Sequence, residues 1–113
     1  MTQYHEPPEE LSDEARNFTR ALVSLKEEIE AIYWYHQRVE TSDDEHLKKI
    51  LAHNRDEEME HACMSLEWLR RNMPGWEEHL RTYLFTEGDI TDLEDEEEGE
   101  AADESKDLGI GKL

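Results

Sequence analysis

The chain of 113 residues has a single cysteine, Cys63, so it can form no intrachain disulfide, and a reducing cytosol suits it. It is poor in cations, with 12 Lys and Arg against 31 Asp and Glu, a formal net charge of −19. Such a surface repels phosphates, which excludes nucleic acid as a partner, and it attracts metal cations. Apolar residues are also scarce, at 35% against 38% charged. One domain is expected at this length, and a chain this small buries a modest share of its surface even when compact. Partner chains are therefore expected to supply missing burial. No apolar run approaches the length of a membrane span. The opening MTQYHEPPEE has none of the sections of a secretory leader, so neither span nor leader is expected.

What is present is helical pattern. Residues 1–11 are polar, contain Pro7 and Pro8, and read as an extended arm. Ser12 is a good N-cap, and Asp13 and Glu14 follow it where negative charge suits a helix start. From there to Glu40 nothing breaks a helix. Phe18, Leu22, Leu25, Ile29, Ile32, His36 and Val39 recur at spacings of four and three, a seam suited to a partner helix. After a short break at residues 41–45, Ser42 with Glu45 forms an S-x-x-E capping box that predicts a second helix, antiparallel to the first. That helix is expected to run to about Asn72 and to stop at Met73-Pro74-Gly75. Its seam, Leu47, Ile50, Leu51, Asn54, Glu58, His61, Ser65, Trp68 and Leu69, is apolar at both ends and polar in the middle. Trp76, Leu80, Tyr83 and Leu84 suggest a short third helix ending near Gly88. Charge is uneven: residues 87–113 hold twelve acids and two lysines, a net of −10. The run DLEDEEEGEAADE cannot bury enough apolar surface to order itself, so residues 89–106 read as a disordered acidic linker.

The polar middle of the second seam lies in RDEEMEH, residues 55–61. Glu58 and His61 are three apart and project from one helical face, so a carboxylate and an imidazole can reach the same ion. On the first helix, Glu28 shares a face with Ala21, Leu25, Ile32 and Tyr35, and a lone carboxylate in an apolar seam is costly unless paired or metal-bound. Di-iron carboxylate sites in four-helix bundles take a Glu from each of two helices and a Glu-x-x-His from each of two others. This chain supplies half that set. Two hairpins would supply the whole of it, placed around a two-fold axis. Carboxylate and imidazole without thiolate suit iron or manganese, and zinc also fits. Solvated acidic helices commonly carry an isolated Glu-x-x-His, so Glu28 and the half-set arithmetic carry the argument.

The stretches SLKEEIEAIYWYHQRVE, ILAHNRDEEMEHACMSLEWLRR and LRTYLFT closely resemble the encapsulated ferritins over roughly residues 18–86. The terminal DLGIGKL resembles the peptides that load cargo into encapsulin nanocompartments. The resemblance implies an all-α hairpin (residues 12–88) that dimerises into a ferritin-like four-helix bundle and assembles into an open ring, a decamer. It implies a ferroxidase that oxidises Fe(II) with O₂ at a di-iron site between two chains, in the prokaryotic cytoplasm inside an encapsulin shell that stores the iron. Glu28, Glu58 and His61 match the ferroxidase ligands, and Tyr35 matches a tyrosine beside them. One heptad from Glu28, Tyr35 can order a ligand carboxylate or serve as a core tyrosine. Glu27, Glu30 and Trp34 match a second, weaker metal site on the route inward, with an acidic solvated face as its rival reading. His53, Glu57 and Glu60 form a third stripe at spacings of four and three, on which adventitious metal can bind. Cys63 reads as a small packed residue.

In the targeting peptide, residues 107–113, Leu108, Ile110 and Leu113 are separated by Gly109, Gly111 and Lys112. The glycines let the backbone lie close in a groove of the shell protein while the aliphatic side chains fill pockets. Two competing functions remain open at this level: a helical module that binds metal without turnover, and an adaptor whose dimer is stapled by metal.

Overall fold

The computed structural model of the chain describes residues 3–107. All regular structure among these residues is helical: a 3-10 turn at Pro8–Glu10, then α1 (Asp13–Thr41), α2 (Glu45–Asn72), α3 (Trp76–Tyr83) and α4 (Ile90–Asp107). The fold class is all-α, as the patterning predicts. The chain divides after Pro74 into two compact units, so α3 falls outside the hairpin unit rather than inside it.

Helix α1 begins at the predicted cap. The Ser12 Oγ accepts from the Ala15 N–H at 3.0 Å, which satisfies one of the free donors of the first turn. The arm before it is not wholly extended: the 3-10 turn closes with Glu10 N–H on the Pro7 carbonyl at 3.0 Å. Arg16 holds that turn by donating from Nε to the Pro8 carbonyl at 2.8 Å.

The second helix starts differently from the expected capping box. Its N-cap is Asp44, whose carboxylate accepts from the Leu47 N–H at 3.0 Å. Ser42 is already committed to the end of α1, where its N–H donates to the Arg38 carbonyl at 3.0 Å. Both caps therefore fit within three linking residues, and the two long helices run antiparallel. At its far end, α2 stops because Met73, preceding Pro74, is held extended at φ −102°, ψ 115°.

The two helices pack along much of their length, with an edge-to-face contact of Phe18 on Trp68 at 6.2 Å. Among the described residues only Leu69 is fully buried. Ile29 of the first seam and Leu47, Ile50 and Trp68 of the second remain exposed, as does Met64 at 60%. A single hairpin thus leaves much of its apolar surface in water, as the thin composition requires.

In the C-terminal unit, Gly75 at φ 106° lets the chain turn into α3, a conformation that a side chain would strain. The expected disordered linker is helix α4 instead. Its charge density argued against a core, yet a helix needs none of its own when local interactions hold it. Glu and Ala are strong helix formers. The Asp89 carboxylate accepts from the Thr91 N–H at 2.9 Å and from its hydroxyl at 2.7 Å, and those bonds hold its pKa below the ordinary value. Glu97 meets His79 of α3 at 2.8 Å. Burial, with Glu97 and Glu94 nearby, raises the pKa of Tyr83. The docking residues Leu108, Ile110 and Leu113 lie outside the described residues.

Candidate metal centre

Helix α1 carries Glu28 half-buried on the face that meets α2. One of its oxygens is satisfied: the Ser65 Oγ donates to Oε1 at 3.0 Å. The other, Oε2, is buried and has no hydrogen-bond partner. An unsatisfied buried acceptor costs about 1–3 kcal/mol, and more when charged. A carboxylate oxygen in that state calls for a cation, a proton or a donor from another chain.

Glu58 and His61 share a face of α2, and their side chains approach to 3.8 Å between Oε2 and Nδ1. Glu58 is the more buried, and the imidazole is about half exposed. The pair is poised to present a carboxylate and a ring nitrogen in one direction.

The hairpin does not bring Glu28 together with that pair into a closed site. Among the described residues, no three His, Cys, Asp or Glu side chains group so as to hold a metal ion. The register explains the separation. Ser65 lies opposite Glu28. Seven residues back along α2 lies Glu58, and seven forward along α1 lies Tyr35. Antiparallel packing therefore sets Tyr35 across from Glu58, two turns and about 10 Å from the Glu28–Ser65 contact. Farther along the same antiparallel interface, Arg55 Nη1 meets His36 Nδ1 at 3.0 Å.

Tyr35 is half-buried, and the Arg38 guanidinium lies over its ring at 5.1 Å. On the outer side of α1, Glu27 is exposed, Glu30 pairs with Lys26 at 3.9 Å, and Trp34 packs edge-on to Tyr33 at 5.9 Å. The third stripe is partly formed: His53 Nε2 meets Glu57 at 2.8 Å, and Glu60 is exposed nearby on the same helix. Cys63 is exposed rather than packed. The residue that the spacing analysis left without a role is Ser65. Its place in the seam, seven after Glu58 and four after His61, was the available signal.

The donor chemistry fits a carboxylate- and imidazole-bound metal, and the orphaned Glu28 Oε2 is the observation in its favour. One inward Glu and one Glu-x-x-His on two long antiparallel helices correspond to half of the ligand set that four-helix di-metal carboxylate proteins carry. The chain belongs to the EncFtn-like family, whose model matches residues 3–87. It is 66% identical over 111 residues to a "Ferritin-like protein" of Thermotoga maritima, covering 98% of this chain and 97% of that one. It is 56% identical over 120 residues to an "Encapsulated ferritin-like protein" of Rhodospirillum rubrum, covering 96% of this chain and 86% of that one. A crystal structure of a protein from Nitrosomonas europaea matches with a TM-score of 0.77 at 55% identity, over 79% of this chain and 99% of that one.

Proposed function

We propose that the chain is a ferroxidase with an iron-handling, ferritin-like role, oxidising Fe(II) to Fe(III) with O₂ at a di-iron site completed by two copies of the hairpin. The observation that carries this reading is the buried, unpartnered Oε2 of Glu28, together with a Glu58–His61 pair about two turns away that no third ligating side chain joins among the described residues. A two-fold copy supplies a second Glu28, Glu58 and His61, which makes the complete set of four carboxylates and two imidazoles. The exposed Ile29, Leu47, Ile50 and Met64 give the partner hairpin apolar surface to cover.

In this account Glu28, Glu58 and His61 of the two copies would hold the metals, Glu28 through its free carboxylate oxygen and Glu58 with His61 as a pair. Bound iron supplies the electrons that reduce O₂. Tyr35, across from Glu58, orders that carboxylate. Glu27, Glu30 and Trp34 would form the outer site, where the exposed Glu27 and the partly buried Glu30 would collect hydrated Fe(II) before it moves inward, with Glu30 giving up its Lys26 contact for the ion. Dimers assemble into a ring, and residues 107–113 dock the assembly into an encapsulin shell through Leu108, Ile110 and Leu113. Membership of the family and the name of the Rhodospirillum rubrum relative support that destination.

Glu58→Ala and His61→Ala are each expected to abolish rapid Fe(II) oxidation while retaining the helical circular dichroism of the parent. Unchanged initial rates would remove the assignment and leave a metal-binding module without turnover. Deleting residues 107–113 is expected to leave oxidation intact and to prevent loading when the shell protein is co-expressed. Continued co-purification with the shell would refute the docking role.

A further inference from the structure

We infer that Ser65 is a positioning residue for the metal site: its hydroxyl fixes the Glu28 carboxylate so that Oε2 is presented to the ion. The inference rests on the reading of Glu28 as a ligand and deepens it. A glutamate has three side-chain torsions, and a carboxylate free to rotate presents either oxygen in many directions. The Ser65 Oγ–H donates to Oε1 at 3.0 Å from the facing helix, so one oxygen is spent on the protein. The other is left buried and without a donor. Division of labour between the two oxygens is the arrangement expected of a ligand with an outer hydrogen-bond partner. Such partners are worth about 10–100-fold in metal affinity or activity.

A purely structural role for Ser65 is the weaker account. Ser is a poorer helix former than Ala, so α2 gains nothing in propensity from it. Ser65 also borders an open concavity with Asn17, Arg20, Ala21, Ser24 and Trp68, so it fills no tight space. The hydroxyl is aimed across the hairpin, at the one carboxylate among the described residues with a buried oxygen that has no donor.

The test compares the parent chain with Ser65→Ala, Ser65→Thr and Glu28→Ala, all full length. Anaerobic Fe(II) affinity, the visible ligand-field spectrum of bound Co(II) and the melting temperature are read for each. Ser65→Ala is expected to weaken Fe(II) binding about 10–100-fold. It should also alter the Co(II) bands, with a cooperative melting transition retained. Ser65→Thr keeps the hydroxyl, has room for its methyl group, and is expected to restore both binding and spectrum. If Ser65→Ala binds as the parent does while Glu28→Ala loses iron, the positioning role is wrong and the ligand reading stands. Should Ser65→Thr behave like Ser65→Ala, packing rather than the hydrogen bond was lost, and the inference is again overturned. If Glu28→Ala binds as tightly as the parent, the ligand reading itself fails and takes the inference with it.

Discussion

At the scale of the residue, two glutamates of this hairpin have opposite fates. Glu28 is short of partners, whereas Glu67 has them in excess. Arg70 donates to both Glu67 oxygens at 2.7 Å, and Arg71 adds a bond at 2.6 Å. Hydrogen bonds from Arg70 and then Arg71 hold the Glu67 pKa down at about 2, against an ordinary value of 4.5. Because the folded value is the lower one, the unfolded chain takes up the proton first as pH falls. The stabilisation is therefore complete above 4.5 and is lost progressively between 4.5 and about 2. Melting curves across that window are expected to fall more steeply for the parent than for Glu67→Gln, and parallel curves would contradict this. The contrast also marks what sequence can tell. The i, i+3 and i, i+4 pairing of Glu67 with the two arginines is local and readable from spacing. The Glu28–Ser65 bond joins positions 37 apart, and only the antiparallel register reveals it.

At the scale of the element, the two long helices were legible because periodicity, Ser12 and Pro74 all act locally. The misjudged features arise from competition between neighbouring signals. Ser42 had a sound capping motif, but α1 claimed it first, and Asp44 took the cap two residues later. The acidic run after Asp89 was weighed by its poverty of apolar surface. Helix propensity, the Asp89–Thr91 bonds and the His79–Glu97 contact outweighed that in α4. Leu69 shows how narrow the hairpin's own core is, being its one fully buried side chain among the described residues. Leu69→Ala is expected to cost about 2–5 kcal/mol. A hairpin with so little else buried should then lose cooperative melting, seen as a broad, early loss of helical signal. An unshifted transition would mean that the core lies elsewhere.

At the scale of the whole molecule, the sequence already posed the main problem: too few apolar residues and, on the proposed reading, half a ligand set. The hairpin repeats both statements in three dimensions. Its seams keep Ile29, Leu47 and Ile50 in water, and its Glu28 Oε2 lacks a partner. On the proposed reading a second copy answers both at once, and metal binding and assembly are then a single linked equilibrium: ions that bind the pair must favour the pair. The shared face of Glu58 and His61 was legible because it needs only helical spacing. The separation of Glu28 from Glu58 by two turns was not, because it depends on which residues of α1 and α2 stand opposite each other. The most direct test is native mass measured during an anaerobic Fe(II) titration, followed by admission of O₂ to the same sample. The account predicts two irons bound per two chains, appearing together with the dimer, and O₂ uptake that saturates at that ratio. Iron held by single chains, with oxidation no faster than in buffer, would contradict it.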